Sequence, residues 1–380
     1  MAGIYLHIPF CNRACHYCDF HFSTNQKYTG EMTRAMVSEI HLRASEWKSE
    51  QIKTIYFGGG TPSTLPAQQI GLLMDAMHAK LNAHGVEEIT LEANPEDLTT
   101  SKISDIQHMG VNRLSIGIQS FHDHHLTWMN RAHTGKDAER AVKTAQDKGI
   151  TNITIDLIYS IPNMTRAEWL ANLDLAIQLD VPHISAYSLT IEPQTVFGHQ
   201  HNKGQLQPAP DAESEWQYLT MVDVLNRHGI QSYEVSNFAK SKMESKHNSA
   251  YWKGASYLGI GPSAHSYTHP NRSWNIANNA QYMKALNEGF RLYEEEILTT
   301  ADQYNETIMT RLRTARGLNI HEVEETFGVN VLKKFEGEIN EWIRREWAQI
   351  EGDQLHLQPK GMLFADRCAA ELFLQQQDFA

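Results

Sequence analysis

The sequence lacks any apolar run that could cross a membrane, and it contains very little cysteine. Hydrophobic residues make up 41% of the 380 positions, yet no segment approaches the roughly 18–20 apolar residues of a membrane span. The basic-then-apolar order of a secretory leader is also missing, since a strand-like run begins at Gly3. Only four cysteines are present and three are clustered, which argues against a disulfide scaffold. We therefore expect a cytoplasmic protein.

An excess of basic residues is missing as well. The chain has 33 Lys and Arg residues against 45 Asp and Glu residues, for a net charge of −12. Because nucleic-acid binding needs a basic face that neutralises phosphates, no nucleic-acid partner is expected. The length suffices for one large α/β domain plus a small one.

What the chain does contain, up to about residue 190, is an alternation of short β-rich runs with amphipathic helical stretches. This order predicts parallel strands joined by crossover helices. Thr99 and Thr100 indicate the start of the third helix, and Gly149 indicates the end of the fourth. The predicted strands lie near 3–8, 54–57, 88–92, 113–118, 152–157 and 183–188, and the predicted helices near 31–47, 66–82, 101–109, 135–148 and 166–179.

Three cysteines, Cys11, Cys15 and Cys18, follow the first predicted strand with the spacing Cys-x3-Cys-x2-Cys. Thiolates are soft ligands, and three of them on one turn suit an iron–sulfur cluster or zinc. A four-iron cluster held by three cysteines leaves one iron open to a small molecule. Zinc usually takes four ligands, but the remaining cysteine, Cys368, is far away in the chain. The spacing favours the open cluster over a zinc site or a disulfide, and a helical, apolar context predicts that Cys368 is simply buried.

Other chemistry-bearing residues follow later strands, at the rim where parallel α/β barrels build their active sites. The Gly-Gly-Gly-Thr-Pro turn at 58–62 lets a ligand approach the backbone, although an ordinary tight turn is an equal alternative. Glu92 and Gln119 close the third and fourth strands, and Asp156 lies inside the fifth. Because burying a bare carboxylate is costly, Glu92 and Asp156 need a ligand or an ion pair across the barrel. Arg131 either binds a carboxylate ligand or is a surface arginine.

Two histidine-containing strings stand apart from this rim. His247, Asn248, Tyr251 and Trp252 combine an imidazole, an amide and two flat aromatic rings, a set that suits a tetrapyrrole with axial histidine. Aromatic packing at the open end of the barrel is the alternative. The run at 122–125 contains three histidines and one aspartate, which could chelate a divalent metal or form a solvated loop.

Several strings spread over nearly the whole chain carry a family resemblance. They are Tyr5-Leu6-His7-Ile8-Pro9-Phe10-Cys11, the turn at 58–62, Gln119, Asn130-Arg131 and Ile155-Asp156-Leu157-Ile158-Tyr159. With the cysteine spacing, they resemble the radical S-adenosylmethionine superfamily. More narrowly, they resemble the branch that contains the oxygen-independent coproporphyrinogen III oxidases and the HemW-type heme chaperones.

The resemblance implies an α/β fold, namely a partial six-stranded (β/α) TIM-like barrel of radical SAM type with a small C-terminal winged-helix-like domain. The implied domains are a barrel at 1–230, an extension with the His247 string at 231–299, and the winged-helix-like domain at 300–380. The last of these is interpreted as a capping module rather than a DNA-binding one, because a basic face is missing.

The resemblance also implies a 4Fe–4S cluster on Cys11, Cys15 and Cys18, with S-adenosylmethionine chelating the fourth iron. Reductive cleavage of that cofactor would give a 5′-deoxyadenosyl radical if the chemistry is retained. The residues implied for the cluster surroundings and the cofactor pocket are Tyr5, Tyr17, Phe20, Gly59, Gly60, Thr61, Glu92, Gln119, Arg131 and Asp156.

Two departures separate the chain from the oxidases. Those enzymes resemble Cys-x3-Cys-x2-Cys-x-Cys, whereas Phe20 stands at the last position here, and they carry an N-terminal extension before the residue that matches Tyr5. The His247 string, by contrast, resembles the chaperone branch. The resulting hypothesis is a chaperone that binds heme and delivers it to respiratory hemoproteins, with transient membrane-protein partners. The alternatives are a coproporphyrinogen III oxidase and, in a different class, a radical enzyme that modifies tRNA or protein.

Overall fold

The computed structural model describes residues 2–379, and its main feature is a single sheet of twelve strands. Three further strands form a small separate sheet near the C-terminus. The strands are, in chain order, β1 Ala2–Ile8, β2 Ile52–Gly59, β3 Glu88–Ala93, β4 Arg113–Gln119, β5 Ile153–Tyr159, β6 His183–Ser188, β7 Gln231–Ser232, β8 Asn237–Ala239, β9 Tyr257–Ile260, β10 His265–Thr268, β11 Asn271–Asn275, β12 Tyr293–Ile297, β13 Leu318–Asn319, β14 Ala348–Glu351 and β15 Gln354–Leu357.

Helices connect the strands of both sheets. Within residues 2–379, no helix combines the length and the apolar character that a bilayer crossing requires. The helices are α1 Thr29–Arg43, α2 Ala67–Lys80, α3 Thr100–His108, α4 Asp123–Trp128, α5 Gly135–Asp147, α6 Arg166–Gln178, α7 Val196–Asn202, α8 Asp211–Arg227, α9 Lys246–Trp252, α10 Asn279–Asn287, α11 Thr300–Leu312, α12 Ile320–Phe327, α13 Val331–Lys334, α14 Glu336–Arg344, α15 Pro359–Met362 and α16 Ala365–Glu371.

The first six strands lie side by side in chain order, and each is parallel to the next. Parallel order places all six carboxyl ends at one edge and all six amino ends at the other. The sheet continues beyond β1 through β9 to β12, and beyond β6 through β8 to β7, so the barrel stays open. The predicted partial six-stranded barrel is confirmed.

The burial pattern of the strands indicates which of their side chains differ from the buried core. Nearly every residue of β1 and β5 is buried, as both-face covering of parallel strands requires. The half-buried exceptions in these two strands are Tyr5 and Asp156, and in β3 the exception is Glu92. All three are residues that the sequence singles out.

The local predictions hold closely in the barrel. All six predicted strands form, and the Thr99 hydroxyl caps α3 by accepting from the Lys102 amide over 3.2 Å. Gly149 follows α5 with a φ of +89°, a conformation that favours glycine after a helix. The first helix ends at Arg43, four residues before its predicted end.

The C-terminal module follows the order of a winged helix: helix α11, strand β13, helices α12 and α14, then the β14–β15 hairpin. The three strands pair antiparallel, with β15 in the middle. Trp342 and Cys368 are buried in this module, Cys368 on α16 with none of its surface exposed. The prediction of a buried Cys368 is confirmed.

Candidate cofactor site

The three clustered cysteines lie in the loop that follows β1. Cys11, Cys15 and Cys18 are free thiols, and each is partly exposed. The Cys18 amide donates to the Cys15 carbonyl over 3.2 Å, which holds these two residues in one turn. Burial raises the pKa of Cys11 to about 11 and also raises the pKa of Cys18. Because a metal centre binds the thiolate form, loading this loop releases protons.

The glycine turn after β2 supports the cysteine loop. The Gly60 amide donates to the Ile8 carbonyl over 2.8 Å, and the Thr61 amide donates to the Phe10 carbonyl over 2.7 Å. A Cβ on Gly60 would lie 2.8 Å from both carbonyl oxygens, so only glycine fits there. The Thr61 hydroxyl donates to Cys11 Sγ over 3.3 Å. The turn therefore does more than reverse the chain, because it fixes the loop that carries the thiols.

A cavity of about 640 Å³ opens at the carboxyl ends of the parallel strands, beside the cysteine loop. Phe20, at its mouth, has 70% of its surface exposed. The predicted residues that line the cavity span 145 positions of the sequence, from Cys11 to Asp156, and lie on several different strands and loops. The predicted residues that line it are Cys11, Cys15, Tyr17, Cys18, Phe20, Gly59, Gly60, Thr61, Glu92, Gln119, Arg131 and Asp156.

Tyr5 is the one predicted pocket residue that does not line this cavity. Its hydroxyl is 3.3 Å from Nδ1 of His7, and its ring stacks against Tyr56 with the centroids 6.1 Å apart. The Tyr56 hydroxyl in turn donates to Glu92 Oε1 over 2.8 Å. Tyr5 therefore supports a cavity carboxylate through Tyr56, and its contact with a cluster or cofactor stays a prediction.

The pKa values of two carboxyl groups in the cavity wall, Glu92 and Asp156, are raised toward neutral pH. Burial raises the pKa of Glu92 to about 7, and Asp156 contributes to the rise. Burial likewise raises the pKa of Asp156 to about 6. Across the described residues 2–379, neither carboxylate forms an ion pair within 4 Å. Both carboxylates are therefore available to a cationic ligand. The sequence leaves a ligand and an ion pair across the barrel as the two alternatives for these residues.

The pKa of Glu92 makes stability depend on pH. The folded-state pKa of about 7 lies above the ordinary value of 4.5, so the folded chain keeps a proton that the unfolded chain releases between these values. We therefore expect the stability of the ligand-free protein to fall as pH rises from about 4.5 to 7, by an amount on the order of 3 kcal/mol from this residue. Thermal unfolding at several pH values measures the slope.

In this experiment Glu92→Gln should reduce the slope across that window, because the amide does not titrate and the contribution of Asp156 remains. Glu215→Gln is the matched control, since Glu215 is exposed on α8 and does not line the cavity. An unchanged slope in Glu92→Gln would contradict the assignment.

Arg131 reaches the same cavity from the loop after α4. Its guanidinium donates to the Asn94 side-chain oxygen over 2.7 Å and to the Gly117 carbonyl over 2.6 Å. It also donates to Cys15 Sγ over 3.4 Å, and its Nε is buried without a partner among residues 2–379. Burial works to lower the pKa of Arg131, but Tyr17 and Cys15 outweigh it and raise the pKa. Arg131 is thus a fixed positive charge inside the site, not a surface arginine.

These features fit an iron–sulfur cluster and a bound cationic metabolite. The donor set consists of three thiols on one loop, with one hydroxyl and one guanidinium donating to the sulfurs. Hydrogen bonds to sulfur tune such clusters. The unpartnered Nε of Arg131 and the two titrating carboxylates are polar groups that a ligand in the cavity would satisfy.

Comparison with known proteins agrees with this geometry. The Radical SAM superfamily profile matches residues 5–176, and the HemN C-terminal domain profile matches residues 298–364. The protein "Heme chaperone HemW" of Bacillus subtilis is 36% identical over 86% of this chain and 87% of its own length. The protein of the same description from Lactococcus lactis is 33% identical over 99% of this chain and 98% of its own length.

The chain belongs to the HemW family. Its fold is that of the radical SAM proteins, since coproporphyrinogen III oxidase (HemN) of Escherichia coli superposes with a TM-score of 0.84. The superposition covers 98% of this chain and 90% of HemN, at 21% sequence identity. At that identity the likeness establishes the fold alone, and it includes the C-terminal module.

Sequence reasoning missed several residues that line the cavity of this HemW-family chain. Ser115 and Gly117 alternate with Gln119 on β4, so the period of two along a strand could have found them. Asn94 lies two residues after Glu92 and holds Arg131. Tyr187 lies at the end of β6. Since active-site residues follow the carboxyl ends of parallel strands, the sixth predicted strand could have pointed to it.

The string at 247–252 lies at the other end of the barrel. His247 is 2% exposed, and its Nδ1 lies 2.7 Å from the Thr54 hydroxyl near the start of β2. Its Nε2 lies 2.8 Å from the Tyr251 hydroxyl, and its backbone amide donates to Glu88 over 2.9 Å. Burial lowers the pKa of His247 to about 3, so the ring is neutral. In this conformation both ring nitrogens are engaged within the protein, and heme ligation by His247 stays a prediction.

The other members of the string surround this buried ring. Asn248 and Trp252 are half-buried on α9, and the Trp252 carbonyl accepts from Arg311 over 3.1 Å. Tyr56 stacks on His247 with the centroids 5.0 Å apart. Because Tyr56 also donates to Glu92, one side chain spans from the cavity wall to the His247 end of the barrel.

Proposed function

We propose that this protein is a heme chaperone that binds heme and passes it to hemoproteins of respiration, membrane-bound ones included. One observation carries the proposal: all three thiols are present, and Phe20 lies at the cavity mouth. In the oxidase motif that this sequence resembles, the position of Phe20 is a fourth cysteine. The names of the relatives from Bacillus subtilis and Lactococcus lactis support the same assignment. The place of action would be the cytoplasm.

In the proposal, Cys11, Cys15 and Cys18 hold a 4Fe–4S cluster, and the cavity next to it holds S-adenosylmethionine. When bound, the pair supplies a one-electron reductive cleavage of the cofactor. Glu92 and Asp156 would attract the positive charges of the cofactor, and the fixed charge of Arg131 would attract its carboxylate. The exposed aromatic rings of Phe20 and Tyr187 would keep the mouth of the cavity apolar.

The experiment supplies anaerobically reconstituted protein with hemin and, separately, with coproporphyrinogen III. We expect a stable heme complex, visible as a shifted Soret band, and no decarboxylation of the porphyrinogen. Adding S-adenosylmethionine to both arms shows whether the cofactor gates heme binding or release. Porphyrinogen decarboxylation with normal turnover and without a stable heme complex would establish the oxidase alternative instead.

The string at 247–252 is the proposed heme-binding segment, and its hydrogen bonds provide a sharp test. His247→Ala should weaken heme binding while leaving iron and sulfide unchanged, because the cysteines lie at the opposite end of the strands. Tyr251→Phe removes only the hydroxyl that engages Nε2. If Nε2 binds the heme iron, this variant should bind heme at least as tightly as the unmodified protein.

Tyr251→Phe loses one buried hydrogen bond and His247→Ala loses two, at a cost on the order of 1–3 kcal/mol for each bond. Thermal unfolding of the heme-free proteins therefore accompanies the heme titration and separates a fold effect from a ligand effect. Equal heme affinity and an unchanged Soret spectrum in His247→Ala would remove His247 as the ligand.

A further inference from the structure

A second cluster of potential metal ligands lies outside the cysteine site. His124 and His125 are in the first turn of α4, and Glu168 is in the first turn of α6. Their ligand atoms all lie within 4.8 Å of one another. Glu168 follows His125 by 43 positions in the sequence, so only the folding of the chain brings the three together. The histidine run at 122–125 is therefore not a solvated loop, because its last histidine is buried and its neighbours contact α6.

We propose that His124, His125 and Glu168 bind a divalent transition-metal ion of the zinc type. Two imidazoles and one carboxylate are a donor set that zinc takes in proteins, with water in the remaining position. His124 has 63% of its side chain exposed, which leaves that position open to solvent. The imidazole rings of His124 and His125 lie with their centroids only 4.1 Å apart.

The surroundings already orient each ligand. His125 Nδ1 lies 3.2 Å from the Ser120 hydroxyl, so Nε2 is the nitrogen left for an ion. Glu168 Oε2 accepts from the Thr165 amide and hydroxyl over 2.7 and 2.8 Å. The other oxygen, Oε1, faces His124 Nε2 over 3.0 Å. Such hydrogen bonds to the outer atoms of metal ligands fix their geometry and strengthen the site.

The site would also link two elements of the barrel. An ion at this position would join the first turns of α4 and α6, and α4 leads directly to Asn130 and Arg131 of the cavity.

The test is a zinc titration of cluster-loaded protein under anaerobic conditions, with a chromophoric chelator as competitor. Cluster loading is essential because the free cysteines would themselves bind zinc. We expect one zinc per chain beyond the iron of the cluster, with an affinity that falls at least about 10–100-fold in His124→Ala and in Glu168→Gln. His84→Ala is the matched control for loss of an exposed histidine and should bind zinc as the unmodified protein does.

Both test variants should fold. His124 is largely exposed, and the amide oxygen of Glu168→Gln can still accept from Thr165. Iron content and thermal unfolding without zinc, measured alongside, confirm an intact fold and cluster. Equal zinc stoichiometry and affinity in all three variants, or zinc that appears only when the cluster is absent, would overturn the proposal.

Discussion

Replacing Cys15 by serine is expected to abolish cluster binding. Cys15 is one of three thiols, and Arg131 donates to its sulfur. A serine oxygen is a hard ligand that cannot replace a thiolate on iron, and the two remaining cysteines cannot hold the cluster. Iron and acid-labile sulfide should fall from about four per chain to near zero, with loss of the broad visible absorption. Anaerobic purification followed by colorimetric iron and sulfide assays measures this.

Cys368→Ala is the matched control for the loss of a cysteine. Cys368 is buried on α16 in the C-terminal module, away from the cysteine loop in the fold. The control should keep its full iron and sulfide content and lose only some stability. Unmodified protein that contains neither iron nor acid-labile sulfide, or Cys15→Ser protein that keeps its iron, would contradict the cluster assignment.

The second large effect concerns stability and is expected for Glu39→Ala. Glu39 is fully buried on α1, and it accepts from the Gly261 amide over 2.9 Å and from the Asn275 amide group over 2.8 Å. The guanidinium groups of Arg43 and Arg291 each lie 3.6 Å from Glu39 Oε1. Removing the carboxylate leaves two cations with little access to water, at a cost of about 3–5 kcal/mol. Thermal unfolding should show a correspondingly lower midpoint.

Glu46→Ala provides the comparison, because Glu46 pairs with the same Arg43 but has 54% of its side chain exposed. Exposed ion pairs contribute about 0–1 kcal/mol, so this variant should unfold close to the unmodified protein. If the two variants lost similar stability, the central role of Glu39 would be wrong. The Glu39 contacts tie α1 to the β9–β12 extension, so its loss should loosen that extension from the barrel.

Residues that are close in the chain, or that follow regular strands, were predictable. The spacing of Cys11, Cys15 and Cys18 points to a metal site because one turn brings them together. Glu92, Gln119 and the glycine turn were predictable for a different reason. Each follows a strand, and parallel strands place all such positions at one rim.

Contacts between distant elements were beyond such reasoning. Nothing near Glu39 indicates that residues 261, 275 and 291 would surround it. The run at 122–125 gives no hint of Glu168, and periodicity cannot say which end of the barrel α9 would cover. The sequence suggested a ligand at His247, whereas the structure gives this ring two partners inside the protein.

The sequence by itself therefore determined the open parallel barrel, its C-terminal module, the thiol set and most of the cavity wall. The secondary-structure propensity of each segment, the alternation of side chains along a strand and the spacing of the cysteines depend only on residues close in sequence, so the sequence shows them directly. The tertiary structure decided the pKa values of Glu92 and Asp156, the hydrogen bonds of Arg131 and the position of His247. Burial and long-range contacts set these properties, and both exist only once distant segments pack together.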